Sequence, residues 1–236
     1  MVFARNAAMA FNRYLDRNID AMNPRTAMRD IPAGKVSASQ ALTFTLLNSG
    51  LFIATTWFIN PLCFYLSPIA LAVVLGYSYT KMFTALCHIV LGVGLGLAPL
   101  GAYLAVTGTF NTVPLLFSLA VVFWVSGFDI IYALQDEKFD KDHKLNSIPA
   151  FFGTKRALLI SKIFHIISAI FITLPVFYLD LGWLYYIGVL FYISLLIYQH
   201  LIISPTDLTR VNRAFMTTNG IASVIFALFF LLDICL

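Results

Sequence analysis

Residues 112–140 read TVPLLFSLAVVFWVSGFDIIYALQDEKFD, an apolar run that ends in a set of acids. The stretch 112–134 is long enough for a membrane helix, which needs about 20 residues. Asp129, Tyr132, Asp136 and Asp140 then fall at i, i+3, i+7 and i+11. At about 100° per residue, such positions project from one face of a helix. Asp129 lies inside the apolar part, between Phe128 and Ile130. An unpaired carboxylate there costs about 3 kcal/mol, so it requires a partner: Tyr132, a cation or a basic side chain. Glu137, Lys138, Lys141 and Asp142 read as a solvated face.

A second stripe lies far away in the chain. Asn12, Asp16 and Asp20 fall at i, i+4 and i+8, directly after Val2–Phe11, a ten-residue fragment of apolar helix. The segment continues through Pro24, Arg25, Arg29, Pro32 and Gly34. Carboxylates and an amide oxygen suit a hard cation, and the two arginines suit phosphate oxygens. The competing interpretation is a basic loop with solvated charge pairs. Tyr77 and Lys81, at i and i+4, end another apolar stretch. They fit either a diphosphate contact or an interfacial aromatic with a snorkelling lysine. Two facing carboxylate clusters can hold Mg2+, and Mg2+ can hold a diphosphate. The order of apolar helix, acidic face and basic Pro-containing loop occurs at 1–35 and again at 115–156, so two half-sites could close over one ligand.

Composition sets the solvent. Hydrophobic residues make up 60% of the 236 and charged residues 11%, with mean hydropathy +0.87. Ordinary globular chains carry about 25% charged residues, so this is an all-α polytopic membrane protein. The net charge of +4 describes loops, and no nucleic-acid partner is expected. Seven apolar stretches follow the first fragment, near 41–59, 62–80, 83–106, 112–134, 157–179, 182–203 and 214–235. Turns fall at Asn60-Pro61, Thr107-Gly108, Asp180 to Gly182 and Ser204-Pro205. Read alternately, the stretches put every one of the 15 Lys and Arg except Arg5 on or beside one side. That side is cytoplasmic by the positive-inside rule, and both acidic stripes face it. No signal peptide is visible, and Val2–Phe11 is half a span, so the chain is expected to lack its opening segment. Cys63, Cys87 and Cys235 have no metal or redox spacing and read as small buried hydrophobes. Gly92, Gly94 and Gly96 read as a close helix contact. His88, His143, His165 and His200 share no metal spacing and receive no role.

Together these motifs resemble the UbiA superfamily of intramembrane aromatic prenyltransferases. The similarity is carried by Asn12/Asp16/Asp20, Arg25 to Arg29 with Pro32 to Gly34, Tyr77 with Lys81, and Asp129 through Asp140. The run from Asp129 through Gly153 is most similar to the 4-hydroxybenzoate polyprenyltransferase branch. One departure is Asp30, where the family usually has proline. The resemblance implies one transmembrane domain over 1–236, a helix bundle with eight of nine helices present, the first partial. Cytoplasmic cap segments near 13–40 and 135–156 would cover a central cavity. It further implies Mg2+-dependent transfer of a polyprenyl group from its diphosphate to an aromatic acid, in a bacterial inner membrane. Asn12, Asp16, Asp20, Asp136 and Asp140 would be metal ligands, and Arg25, Arg29, Tyr77 and Lys81 would hold the diphosphate. Asp16, Asp136, Asp129 and Tyr132 would carry the catalysis, Asp129 by orienting Tyr132 or assisting the acceptor. A dihydroxynaphthoate acceptor is the alternative. A carrier of cations or phosphate is another, but its acids belong near mid-membrane, whereas these lie near one face.

Overall fold

Helical caps and breakers in the sequence set the ends of eight long helices of 17 to 22 residues. The computed structural model describes residues 1–236. The long helices are α1 (Val2–Met22), α2 (Ala38–Trp57), α3 (Pro61–Thr80), α4 (Cys87–Thr107) and α5 (Thr112–Ala133), then α8 (Thr154–Thr173), α9 (Trp183–Ile202) and α10 (Asn219–Cys235). Two short helices, α6 (Glu137–Asp142) and α7 (Ile148–Phe152), lie between α5 and α8. There are no strands beyond one isolated bridge at Ser204 and Asp207.

Ser37 and Gln40 form a reciprocal capping box at the start of α2. Asn60 caps α3 by accepting the Cys63 N–H at 2.8 Å, and its amide donates to Leu104 O at 2.8 Å, tying α3 to the end of α4. Gly108 ends α4 in the left-handed region, at φ 66°, where glycine is favoured. Asp233 of α10 accepts N–H groups from Gly182 and Tyr185 at 2.8 and 3.1 Å, which caps α9 from a distant part of the chain.

Six helical segments are long and apolar enough to cross a membrane. The reading of 41–59 as an equivalent span needs correction. α2 is as long, but Thr43, Thr45, Asn48, Ser49, Thr55 and Thr56 dilute it. Thr45, Asn48 and Thr56 are buried, and Asn48 meets Asn6 of α1 at 3.4 Å. The first cap segment also differs: α1 continues unbroken through the acidic stripe to Met22 and stops where Asn23, extended before Pro24, cannot continue it. The cysteines are not buried; Cys63 and Cys87 are intermediate and Cys235 is exposed.

Packing runs from helix to helix along the chain: α1 on α2 and α3, α3 on α4, α4 on α5, α5 on α8, and α9 on α8 and α10. In lipid such contacts rest on close van der Waals fit and buried polar groups, because the tails are as apolar as leucine. α9 shows the sorting. Tyr185, Val189, Tyr192, Leu196 and Gln199 are buried, while Trp183, Tyr186, Leu190, Ile197 and Leu201 are exposed on the lipid side.

α4 and α5 meet where glycine leaves room. A Cβ on Gly92 would lie 2.4 Å from Val122 O, and one on Gly96 2.5 Å from Val122 Cγ2, whereas Gly94 has nothing nearer than 3.8 Å. Gly92→Ala is therefore expected to destabilise the protein by about 1–3 kcal/mol through overpacking against backbone. Gly94→Ala should be neutral. Thermal unfolding of both variants in detergent checks the contrast.

Candidate active site

The two acidic stripes end in one cavity of about 220 Å³. Asn12, Asp16 and Asp20 enter from α1, and Asp129 and Tyr132 from α5. A 3₁₀ turn at Leu134–Asp136 follows α5 and carries Asp136, and α6 carries Asp140. The second stripe is thus built on three consecutive helical pieces. Arg25 and Arg29 reach in from the segment after α1, and Tyr77 and Lys81 from the end of α3. All the catalytic, metal-binding and diphosphate-binding candidates of the sequence line this one space.

Charge is matched pair by pair. Arg25 donates to Asp136 through Nε at 2.9 Å and again through Nη2, and its Nη1 donates to the Tyr132 hydroxyl at 2.7 Å. Asn23 supports the pair: its amide donates to Asp136 Oδ1 at 3.0 Å, and its Oδ1 accepts the Arg25 N–H at 3.0 Å. Arg29 meets Asp20 at 2.7 Å, and Lys81 meets Asp140 at 2.8 Å. Asp20, Asp136 and Asp140 are buried, at 4%, 8% and 1% exposure, so each would be costly without its cation. Burial pulls the Lys81 pKa down, but the Asp140 carboxylate beside it raises it more, and the net shift is upward. Arg25 behaves alike, with burial outweighed by its bonds to Asp136.

The sequence reading aimed these three basic groups at phosphate. In the structure each holds a carboxylate, because buried acids take the nearest available cations. Asp16 instead accepts a hydrogen bond from Asn12 at 3.0 Å. Asp129 also has a partner that the sequence did not indicate. His88 of α4 lies with Nδ1 2.7 Å from Asp129 Oδ2. A single histidine within an apolar span carries no spacing signal, and its partner is 41 positions away. Asn23 was missed as well, since an Asn-Pro pair reads only as a helix stop.

Glu137 and Lys141 form an i,i+4 pair at 2.6 Å. Glu137 also accepts from the Thr154 hydroxyl, which anchors α6 to the start of α8. The remaining histidines lie elsewhere. His165 and His200 bond each other at 2.9 Å, and His143 is exposed on the cap.

The model of the UbiA prenyltransferase family matches residues 1–229. A 4-hydroxybenzoate octaprenyltransferase of Tolumonas auensis is 32% identical over 229 residues, covering 94% of this chain and 78% of that protein. One from Citrobacter koseri is 32% identical over 225 residues, covering 94% and 76%. The apo structure of a UbiA homologue from Aeropyrum pernix K1 superposes with TM-score 0.90 at 32% identity, over 99% of this chain and 86% of the other. A UbiA homologue from Archaeoglobus fulgidus bound to GPP and Mg2+ shares the fold at TM-score 0.68 and 21% identity, over 100% and 87%. The chain belongs to the UbiA prenyltransferase family and is an integral membrane prenyltransferase.

Proposed function

We propose that this protein transfers a polyprenyl group from its diphosphate to an aromatic hydroxy acid, with 4-hydroxybenzoate as the acceptor and Mg2+ as the cofactor. The observation that carries this reading is the convergence of both acidic stripes and four diphosphate-type donors on one cavity. The names of the bacterial relatives support the acceptor. The clustering of Lys and Arg at the same end of the bundle supports a mouth facing the cytoplasm.

The donor set fits Mg2+. Its atoms are hard oxygens, and Asp20 Oδ2 and Asp140 Oδ2 are buried without any hydrogen bond, an arrangement that calls for a cation. No three His, Cys, Asp or Glu side chains form an all-protein metal cage. Mg2+ does not need one, since it is held by one or two carboxylates together with substrate phosphates and water. Asn12 and Asp16 would hold one ion, and Asp136 and Asp140 another, with Asp20 in support. When bound, Mg2+ supplies Lewis-acid neutralisation of the diphosphate.

The chain's own residues do the rest. Arg25, Arg29 and Lys81 would turn from carboxylate to phosphate oxygens, joined by the Tyr77 hydroxyl, and so favour charge gathering on the leaving group. As the allylic C–O bond breaks, its electron pair departs with the diphosphate. The ring carbon beside the phenol bonds to the allylic carbon, and a ring proton is lost. Aromatic walls and the cap must exclude water, which would otherwise capture the allylic cation.

Asp16→Ala and Asp136→Ala should each lower transfer at least about 100-fold while the protein stays in the membrane, measured with radiolabelled polyprenyl diphosphate. Retained turnover in both would refute the metal assignment. Chelation by EDTA should abolish turnover and added Mg2+ restore it, and Arg29→Ala should raise KM for the diphosphate about 10-fold by loss of one charged hydrogen bond. A panel offering 4-hydroxybenzoate and a dihydroxynaphthoate separately identifies the acceptor, and faster use of the naphthoate would overturn the choice made here.

A further inference from the structure

His88 is 2% exposed and makes two side-chain contacts. Its Nδ1 lies 2.7 Å from Asp129 Oδ2, and its Nε2 accepts the backbone N–H of Ile148 at 3.2 Å. The second contact decides the nature of the first. A ring nitrogen that accepts an N–H carries no proton, so the imidazole is neutral, with its one hydrogen on Nδ1 and directed at Asp129. Ile148 opens α7 in the cap, and the same segment is fixed to the end of α3 by the Asn146 N–H donating to Lys81 O at 2.8 Å. The backbone of the cap therefore contacts the ring of a histidine in the wall beneath it.

The consequence falls on Asp129. One carboxylate oxygen is held by His88, while Oδ1 makes no hydrogen bond within the chain. The side chain is 24% exposed and lines the cavity. Asp20, Asp136 and Asp140 each face a lysine or arginine, whereas the partner of Asp129 is an imidazole whose other nitrogen accepts a backbone N–H. A carboxylate with a neutral donor on one oxygen and open space at the other is arranged to accept a proton.

We propose that His88 is a positioning residue, holding Asp129 so that its free oxygen accepts the phenolic proton of the aromatic acceptor. The proposal rests on the hydroxy-acid reading given above. Asp129 takes the phenolic proton as the ortho carbon bonds to the allylic carbon and the allylic C–O bond breaks, its pair leaving on diphosphate. The ortho carbon then gives up its hydrogen as a proton to the diphosphate, and Asp129 returns its own proton to the ring oxygen. One C–O bond is broken, one C–C bond is made, and one proton departs with the diphosphate.

The test compares the purified protein and its variants in detergent, with a polyprenyl diphosphate, Mg2+ and 4-hydroxybenzoate. His88→Leu should lower kcat about 10- to 100-fold, the usual range for loss of such an orienting contact. KM for the diphosphate should stay within about twofold, because the acid–base pairs that would meet it are untouched. His88→Gln keeps an N–H donor and should recover most of the rate. Asp129→Asn should lower kcat at least as far as His88→Leu, and the double variant should be no slower than Asp129→Asn alone, since both changes remove one function. Wild-type turnover in His88→Leu, a parallel rise in KM for the diphosphate, or additive losses in the double variant would overturn the proposal. If His88→Leu does not fold, Asp129→Asn and His88→Gln decide: undiminished kcat in Asp129→Asn refutes the assignment. A wild-type protein inert toward every aromatic hydroxy acid would sink the proposed function as well. Failure confined to the His88 variants would leave that function standing.

Discussion

Three ion pairs in the cavity require the helix ends that carry them to meet. Arg25–Asp136 joins the segment after α1 to the turn after α5, Lys81–Asp140 joins the end of α3 to α6, and Arg29–Asp20 closes the first segment onto α1. Removing charge from water costs several kcal/mol per ion, and only a well-placed partner offsets it. These pairs therefore hold only if α1, α3 and α5 end at matching depth. The depth is set by the lengths of the spans and by caps such as Ser37, Asn60 and Gly108. The site is a consequence of where the helices stop.

Lateral placement needs a different device, because uniformly apolar helices give lipid and protein faces nearly equal value. Here small and polar residues break the tie. Gly92 and Gly96 bring α4 against Val122 of α5, and Ser126 Oγ donates to Val122 O at 2.7 Å and His88 O at 3.1 Å at the same contact. On the other flank of α5, Gly127 lies so close to the His165 ring that a Cβ would sit 2.2 Å from it, and Ser161 and Ser168 donate to carbonyls of α5 at 2.7 Å. Trp124 Nε1 reaches Asn219 at 3.0 Å, and Gln199 bonds the same side chain. α5 thus has polar or small contacts on each side that faces protein, and it carries two of the cavity's acidic and aromatic groups.

Much of this was legible because it is local. The acidic stripes repeat at helical spacing, Asn-Pro and Gly turns end helices, and the glycine triplet marks a close approach. What escaped was non-local or depended on context. The spacing of Asn12, Asp16 and Asp20 was read as helical, but the cap segment was drawn from residue 13 because charged residues look like a loop, yet Asn23-Pro24 is the first real stop. The polar content of α2 was read past because its neighbours are apolar. The pairing of acids with bases could not be read from charge order, since Arg25 and Asp136 lie 111 positions apart. His88 was invisible for the same reason.

The partners of the acids divide the cavity by task. Asp20, Asp136 and Asp140 are matched by fixed cations, and in the proposed reaction those cations would receive the phosphate-bearing ligand, this part of the wall trading one set of charged contacts for another. Asp129 stands outside that exchange, on the α5 wall, and its one side-chain partner is the His88 ring. A carboxylate neutralised by a guanidinium makes a poor proton acceptor, because taking the proton would strand the cation. A carboxylate steadied by a neutral imidazole incurs no such penalty. In the proposed reaction the same cavity would stabilise negative charge on a leaving group at one wall and relieve a hydroxyl of its proton at another, the two tasks kept apart by the contact of His88 with the backbone of the cap.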